Sequence, residues 1–194
     1  MRRGVPAVRI IGGRHRGRTL RLPAGVSLRP TADRVRQAVF NVLEHGVDWP
    51  GVAGASVLDL FAGTGAYGIE ALSRGAGHAT FVDSHPAAVA GIRATLVTLG
   101  DMDRARVHRL DAARLPERPA GAIPPATLAF LDPPYRSGLA LPALNSLLPR
   151  GWVVPGAIAV VETATGEPFS LPGNAVTVDE RTYGAARVAF LRLE

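Results

Sequence analysis

Ser56-Val57-Leu58-Asp59-Leu60-Phe61-Ala62-Gly63-Thr64-Gly65-Ala66-Tyr67-Gly68 reads as a buried strand that breaks on glycine and reopens as a helix. Gly63, Gly65 and Gly68 take the G-x-G-x-x-G spacing between a strand at 56–61 and a helix at 66–74. Asp83 follows twenty positions after Gly63, closing a second strand at 79–82. Such a loop lets backbone approach a ligand at the switch point of an open sheet, where the acid accepts hydrogen bonds from ribose hydroxyls. The spacing alone fits many nucleotide-like ligands, a nicotinamide dinucleotide among them.

Asp59, four residues before Gly63, narrows the choice. A carboxylate beside the glycine turn does nothing for a pyrophosphate. S-adenosylmethionine carries no phosphate and presents an ammonium and a sulfonium, which a carboxylate attracts. The alternative is that Asp59 caps the loop's own amides. Candidate cofactor contacts are therefore Asp59, Phe61, Ala62, Gly63, Thr64 and Gly65 in the loop, with Asp83 and Ser84 after the second strand. Asp111 and Ala112, after a third strand at 106–110, join them. There Asp111 either receives the adenine amino group or is an ordinary loop aspartate.

Outward from the loop, apolar strands alternate with amphipathic helices: a helix at 86–99, a strand at 127–131, a helix at 139–148 and a strand at 157–162. Alternation of this kind builds a parallel sheet. Segments 176–178 and 187–193 have no helix between them, so the last hairpin is expected to be antiparallel. The Pro-rich piece 116–125 reads as a connecting loop.

Ala129-Phe130-Leu131 feeds straight into Asp132-Pro133-Pro134-Tyr135, at the carboxyl end of the fourth strand and on the ligand side of such a sheet. Both prolines lack amide hydrogens, so the turn offers only acceptors, the Asp132 carboxylate and a backbone carbonyl, to an NH2 group. An exocyclic amine on a base is a poor nucleophile because its lone pair is delocalised. Accepting its N–H bonds favours a tetrahedral nitrogen and frees that pair for a sulfonium methyl. Tyr135 is placed to stack on a flipped base. The plain alternative is a proline turn with a packed tyrosine, but the glycine loop and Asp59 favour the catalytic reading of Asp132, Pro133, Pro134 and Tyr135.

The 194 residues carry a net charge of +6, and every basic side chain is arginine. Residues 1–36 hold ten arginines against one acid, Asp33, while the remainder holds twelve against fifteen. A basic arm on a mildly acidic body reads as an attachment for nucleic acid, because arginine forks match phosphate geometry. The alternative is a solvated basic tail. Segments 8–11 and 18–22 flank Gly12-Gly13-Arg14-His15-Arg16-Gly17 as an exposed hairpin tip. Thr31 then caps a helix to about residue 45, with Val35, Val39, Val42 and Leu43 on one face. The expected division is a nucleic-acid-binding arm at 1–30 and a catalytic domain at 31–194. Arg14, His15, Arg16, Arg18 and Arg34 are the candidate nucleic-acid contacts, which the resemblance described below makes RNA contacts, although His15 also reads as a solvated loop histidine.

There is no cysteine, and the five histidines never take a metal-binding spacing with acids, so no metal is expected. No apolar run reaches membrane-spanning length and no secretory signal opens the chain. The expectation is a cytoplasmic monomer without a membrane partner.

Together these features resemble the RsmD-type methyltransferases, which methylate a guanine N2 in small-subunit ribosomal RNA. The resemblance rests on Arg9-Ile10-Ile11-Gly12-Gly13, Arg29-Pro30-Thr31-Ala32-Asp33-Arg34-Val35-Arg36 leading to Phe40-Asn41, the Asp59–Gly65 loop, Asp132–Tyr135 and the closing Tyr183-Gly184. The tetrapeptide is shared with other amino-methyltransferases, whereas the arm and the Arg-Pro-Thr segment are more particular. Gln37 stands where family members commonly have Glu. The resemblance implies an α/β, Rossmann-like class I fold that uses S-adenosylmethionine and yields S-adenosylhomocysteine. It also implies a mostly parallel seven-stranded sheet with an N-terminal hairpin and helix extension that contacts RNA. Its implied substrate is 16S rRNA on an assembled or partly assembled 30S particle.

Two other classes make different predictions. An NAD-dependent oxidoreductase binds NAD and has no use for the tetrapeptide, and a non-catalytic RNA-binding module ignores S-adenosylmethionine. Within the enzyme class the runner-up is an adenine N6 or cytosine N4 methyltransferase of DNA or other RNA, although such enzymes usually carry more target-recognition sequence than 194 residues allow.

Overall fold

The structure, a computed structural model, describes residues 8–20, 32–120 and 123–194. Seven strands form one sheet in the order β3-β2-β1-β4-β5-β7-β6. In chain order the elements are α1 (Ala32–His45), β1 (Ser56–Leu60), α2 (Ala66–Ser73), β2 (His78–Asp83), α3 (Pro86–Leu99), β3 (Ala105–Arg109), β4 (Ala126–Leu131), α4 (Ala140–Leu147), β5 (Val153–Ala164), β6 (Ala175–Tyr183) and β7 (Ala186–Leu193). Strands β1 to β5 are parallel, and β7 runs antiparallel to both β5 and β6. The mostly parallel α/β sheet with an antiparallel closing hairpin is as expected from the sequence.

The central strand shows why this sequence takes this place. Every residue of β1 is buried, as a parallel strand covered on both faces requires. Val57 joins a core under α1, α2 and α3, whereas Leu58 and Leu60 join a second core against α4. The first core also takes Val8, Ile10 and Leu20 from the N-terminal segment, and Val35, Val39, Phe40 and Leu43 from α1. Gly68 lets α2 lie directly on β2, since a Cβ there would sit 2.4 Å from the Phe81 ring. Among the described residues no helix is long and apolar enough to cross a membrane.

Three elements depart from the sequence reading. β5 begins at Val153, four residues earlier than expected, because a bulge containing Pro155 and Gly156 lets the strand pair with β4 on both sides of these breakers. β6 runs to Tyr183, well beyond the expected 176–178, and carries Asp179, Glu180 and Arg181. It is a sheet edge, where charge is compatible with the strand and blunts further pairing. Among the described residues the N-terminal hairpin shows one bridge, Arg9 with Thr19, flanked by Leu20 N to Val8 O (2.9 Å) and Ile10 N to Arg18 O (2.9 Å). Its turn is a single 3₁₀ turn, Gly13–His15. The expected cap Thr31, Arg29-Pro30 and the strand end at 21–22 lie outside the described residues.

Candidate active site

β1, β2 and β4 end side by side in the sheet, and the residues after them, with those after β3, form one cleft. It has a volume of about 370 Å³ and is lined by Phe61, Asp83, Ser84, His85, Asp111, Ala112, Asp132, Pro134 and Leu139. The structure thus brings together candidates from all four strand ends. Phe61 is held at φ 56°, in the left-handed region that a bulky residue occupies at a cost of about 1–3 kcal/mol.

The carboxylates play different parts. Asp59 lies beneath the loop, 2% exposed, and its Oδ2 accepts from Gly68 N at 2.9 Å in the first turn of α2. It does not line the cleft; its geometry is that of the capping alternative. Asp83 lines the cleft and organises the loop, accepting from Gly63 N through Oδ2 (2.8 Å) and from His85 N through Oδ1 (2.8 Å). A carboxylate has about four lone-pair directions, so these bonds leave capacity for hydroxyl donors. Asp111 Oδ1 accepts from Ala113 N at 2.9 Å and caps the turn that carries Ala112. The glycine loop therefore spends one amide on a carboxylate, and three carboxylates face the cleft, an arrangement hostile to a pyrophosphate and favourable to a cation.

Burial pushes the Asp59 carboxyl up to about 8 against the Gly68 hydrogen bond, with the nearby Asp132 and Asp83 charges adding to the rise and Arg36 opposing it. Between about pH 4 and pH 8 the folded chain retains a proton that the unfolded chain releases, so this group makes stability fall as pH rises through that window. Asp59→Asn keeps an acceptor for Gly68 and removes the titration. It is expected to be more stable than the wild type at pH 8, by several kcal/mol, and no more stable near pH 4. Thermal melts across this range check it; an offset independent of pH would contradict the assignment.

Asp132-Pro133-Pro134-Tyr135 leaves the end of β4 directly. Its Tyr135 hydroxyl donates to Glu162 Oε1 at 2.8 Å. A second cleft of about 280 Å³ lies against Tyr135 and is lined by Arg136, Ala164, Thr165 and Ala185. Arg136 also has a left-handed backbone, at φ 58°. Among the described residues Phe61 and Arg136 are the non-glycine positions with positive φ, one in each cleft.

The arm arginines divide. Arg14 and His15 do not form a free tip: both engage Asp101, which is fully buried and also accepts from Arg104 Nη2 at 2.7 Å. His15 Nε2 lies 3.0 Å from Asp101 Oδ2, and burial, with Arg14, Arg18 and Arg104 nearby, pushes its imidazole below the usual value. The expected solvated histidine is therefore an anchor. Gly13 makes the docking feasible, since a Cβ there would lie 1.9 Å from Ser73 O. Ser73 closes α2, whose eight residues span about 12 Å from the glycine loop. Arg16, Arg18 and Arg34 are exposed.

Sequence reasoning missed Glu70, Asp101, Glu162 and Tyr67. Glu70 and Glu162 each stand alone in an apolar run, Gly68-Ile69-Glu70-Ala71-Leu72 and Val160-Val161-Glu162, and such an isolated acid is the available signal. Gln37 donates to Asn41 Oδ1 at 2.8 Å on the exposed side of α1.

This sheet order, with its glycine loop and strand-end cleft, is the class I methyltransferase fold. A solved Escherichia coli protein assigned as a methyltransferase, yhhF, superposes with a TM-score of 0.81 at 36% identity, covering 97% of this chain and 99% of its own. A Haemophilus influenzae methylase does so at 0.77 and 31%, covering 97% and 100%. The family model described as Conserved hypothetical protein 95 matches residues 8–192. The ribosomal RNA small subunit methyltransferase D of Escherichia coli is 39% identical over 160 residues, 82% of this chain and 76% of that protein. With this match the chain belongs to the RsmD family.

Proposed function

We propose that the protein transfers a methyl group from S-adenosylmethionine to the exocyclic N2 of a guanine in small-subunit ribosomal RNA, on an assembled or partly assembled particle. The observation that carries this reading is the acceptor-only turn Asp132–Tyr135 opening onto the carboxylate-lined cleft. The names of the family's curated members, rRNA small subunit methyltransferases among them, support the choice of RNA.

The cleft fits the cofactor by its donor set. Asp83 would take the ribose hydroxyls, Asp111 the adenine amine beside Ala112, and Phe61, Ser84, His85, Pro134 and Leu139 would form further walls; Ala62, Thr64 and Gly65 would shape the loop, which closes through Gly65 N to Ala62 O at 2.7 Å. Asp59 would act from beneath, holding the first turn of α2. When bound, S-adenosylmethionine supplies an electrophilic methyl on a sulfonium. Asp132 and a backbone carbonyl of the turn would accept the N–H bonds of the target amine and expose its lone pair. Bound there, the cofactor would give that methyl to the amine nitrogen and depart as the neutral thioether, and Asp132 or water would take the amine's proton. Tyr135 stacks on the extruded base, an interaction of about 1–3 kcal/mol.

Arg16, Arg18 and Arg34 would bind phosphate, with Arg14 and His15 holding the arm in place. Deleting the arm is a poor test, because Val8, Ile10 and Leu20 belong to the core. Arg16→Gln with Arg18→Gln is expected instead to weaken RNA binding and to lower the slope of log affinity against log salt by about one unit for each phosphate no longer neutralised. An unaltered slope would move the RNA surface elsewhere on the body. The function itself is tested by nucleoside analysis of 16S rRNA from cells with and without the protein. One N2-methylguanosine should disappear and return with the wild-type chain; a complete set in the deletion strain would refute the reading.

A further inference from the structure

Two hydroxyls meet on one buried carboxylate at the end of β5. Tyr67 donates to Glu162 Oε2 at 3.1 Å and Tyr135 to Glu162 Oε1 at 2.8 Å. These tyrosines come from the two working parts of the site. Tyr67 is the second residue of α2, two positions after Gly65 of the glycine loop, and Tyr135 closes the Asp132–Tyr135 turn. Glu162 follows Val161, the partner of Leu131, so it stands level with Asp132 across the parallel β4–β5 ladder.

Each tyrosine has its own constraint. The Tyr67 ring stacks on Phe130 with centroids 4.8 Å apart and planes at 20°, so ring and hydroxyl are both held. Burial first, then the Glu162 charge, pushes its phenol well above the usual value, which keeps it a donor. Tyr135 has one side on the second cleft, and its hydroxyl bond to Glu162 sets the plane that its ring presents there. Hydrogen bonds to an ionised carboxylate are stronger than neutral ones, so this single side chain can hold both rings.

We propose that Glu162 is a positioning residue: it sets the Tyr135 ring for the target base and, through Tyr67, ties the catalytic turn to the glycine loop that receives the cofactor. The inference rests on the amino-methyltransferase reading of the site. Chemistry that depends on near-attack geometry loses about a hundredfold for displacements near 1 Å, and a ring freed at its hydroxyl end moves on that scale. Glu162→Ala therefore lowers kcat about 10–100-fold while the KM for S-adenosylmethionine stays within about threefold. Glu162→Gln, which can accept from one hydroxyl and donate to the other, restores most of kcat.

The test uses the full chain labelled with 3-fluorotyrosine, whose three tyrosines give three fluorine resonances assignable by Tyr→Phe variants. Glu162→Ala and Tyr67→Phe should both move the Tyr135 resonance and leave that of Tyr183 in place, which also reports that the fold is retained. In turnover, Glu162→Ala combined with Tyr135→Phe should lose no more kcat than the worse single variant. Losses that multiply, a parallel rise in the cofactor KM, or a Tyr135 resonance unmoved by Glu162→Ala would overturn the inference while the wild type remains an active methyltransferase. A wild type without methyl transfer would overturn the proposed function and this inference with it.

Discussion

Asp132→Ala is expected to reduce methyl transfer about a thousandfold while leaving S-adenosylmethionine binding within about tenfold of the wild type. The expectation follows from where the carboxylate stands. Asp132 is carried by the end of β4 into a turn whose next two residues have no amide hydrogen, so nothing in the turn can replace it as the side-chain acceptor for an N–H group. An amine whose lone pair stays in the ring system is hardly a nucleophile, and the acceptor acts mainly once the nitrogen becomes tetrahedral. Its loss should therefore appear in kcat. The cleft keeps Asp83, Ser84, His85 and Asp111 as polar lining that the substitution does not touch. Asp132→Asn retains one acceptor oxygen and should fall between the two. Single-turnover rates together with calorimetric titration separate these quantities. A turnover within tenfold of the wild type in Asp132→Ala would remove the residue from the mechanism.

The largest stability effect is expected at Glu70, where Glu70→Ala should cost about 3–5 kcal/mol. Its side chain is fully buried on α2. Oε2 accepts from Ile11 N and Oε1 from Gly12 N, both at 2.7 Å, and Arg74 Nε donates to Oε1 at 2.8 Å. Arg36 Nε stands 3.8 Å away, and Arg36 in turn donates to Arg9 O at 2.6 Å and Asp33 Oδ1 at 2.9 Å. Removing the carboxylate leaves two half-buried amides without their acceptor and strips Arg36 and Arg74 of their shared anion, leaving them only Asp33 and Glu44, and it loosens Val8 and Ile10 from the core they share with α1. Glu70→Gln keeps one acceptor and should cost less. Denaturant midpoints measure the loss, and hydrogen exchange at the Ile11 and Gly12 amides locates it. A cost below about 1 kcal/mol with those amides still protected would show that the arm is held by other interactions.

The parts of the fold legible in the sequence are those whose signal is local. The strand, glycine loop and helix from Ser56 to Ser73 announce themselves because burial on both faces demands an unbroken apolar strand and a helix laid closely on β2 demands glycine at Gly68. The same holds for the tetrapeptide, whose two prolines fix its chemistry wherever it lies. Less legible are elements whose logic is tertiary. Pro155 and Gly156 look like breakers until β4 is seen pairing around them, and the charges of β6 hide a strand that needs only one partner. The arm tip reads as exposed because glycine and arginine dominate it. Its anchor, Asp101, lies 87 positions from Arg14, so only the folded chain reveals that Gly13 serves a close approach. Glu162 belongs with these, since its partners Tyr67 and Tyr135 lie 95 and 27 positions away.

The central claim is the reaction itself, and it is tested most directly by incubating the purified protein and labelled S-adenosylmethionine with small ribosomal subunits from cells that lack it, then digesting the RNA and identifying the labelled nucleoside by mass spectrometry. Label in N2-methylguanosine, absent with Asp132→Ala, is the predicted result. Label in another base, or none from a protein that demonstrably binds the cofactor, would contradict it.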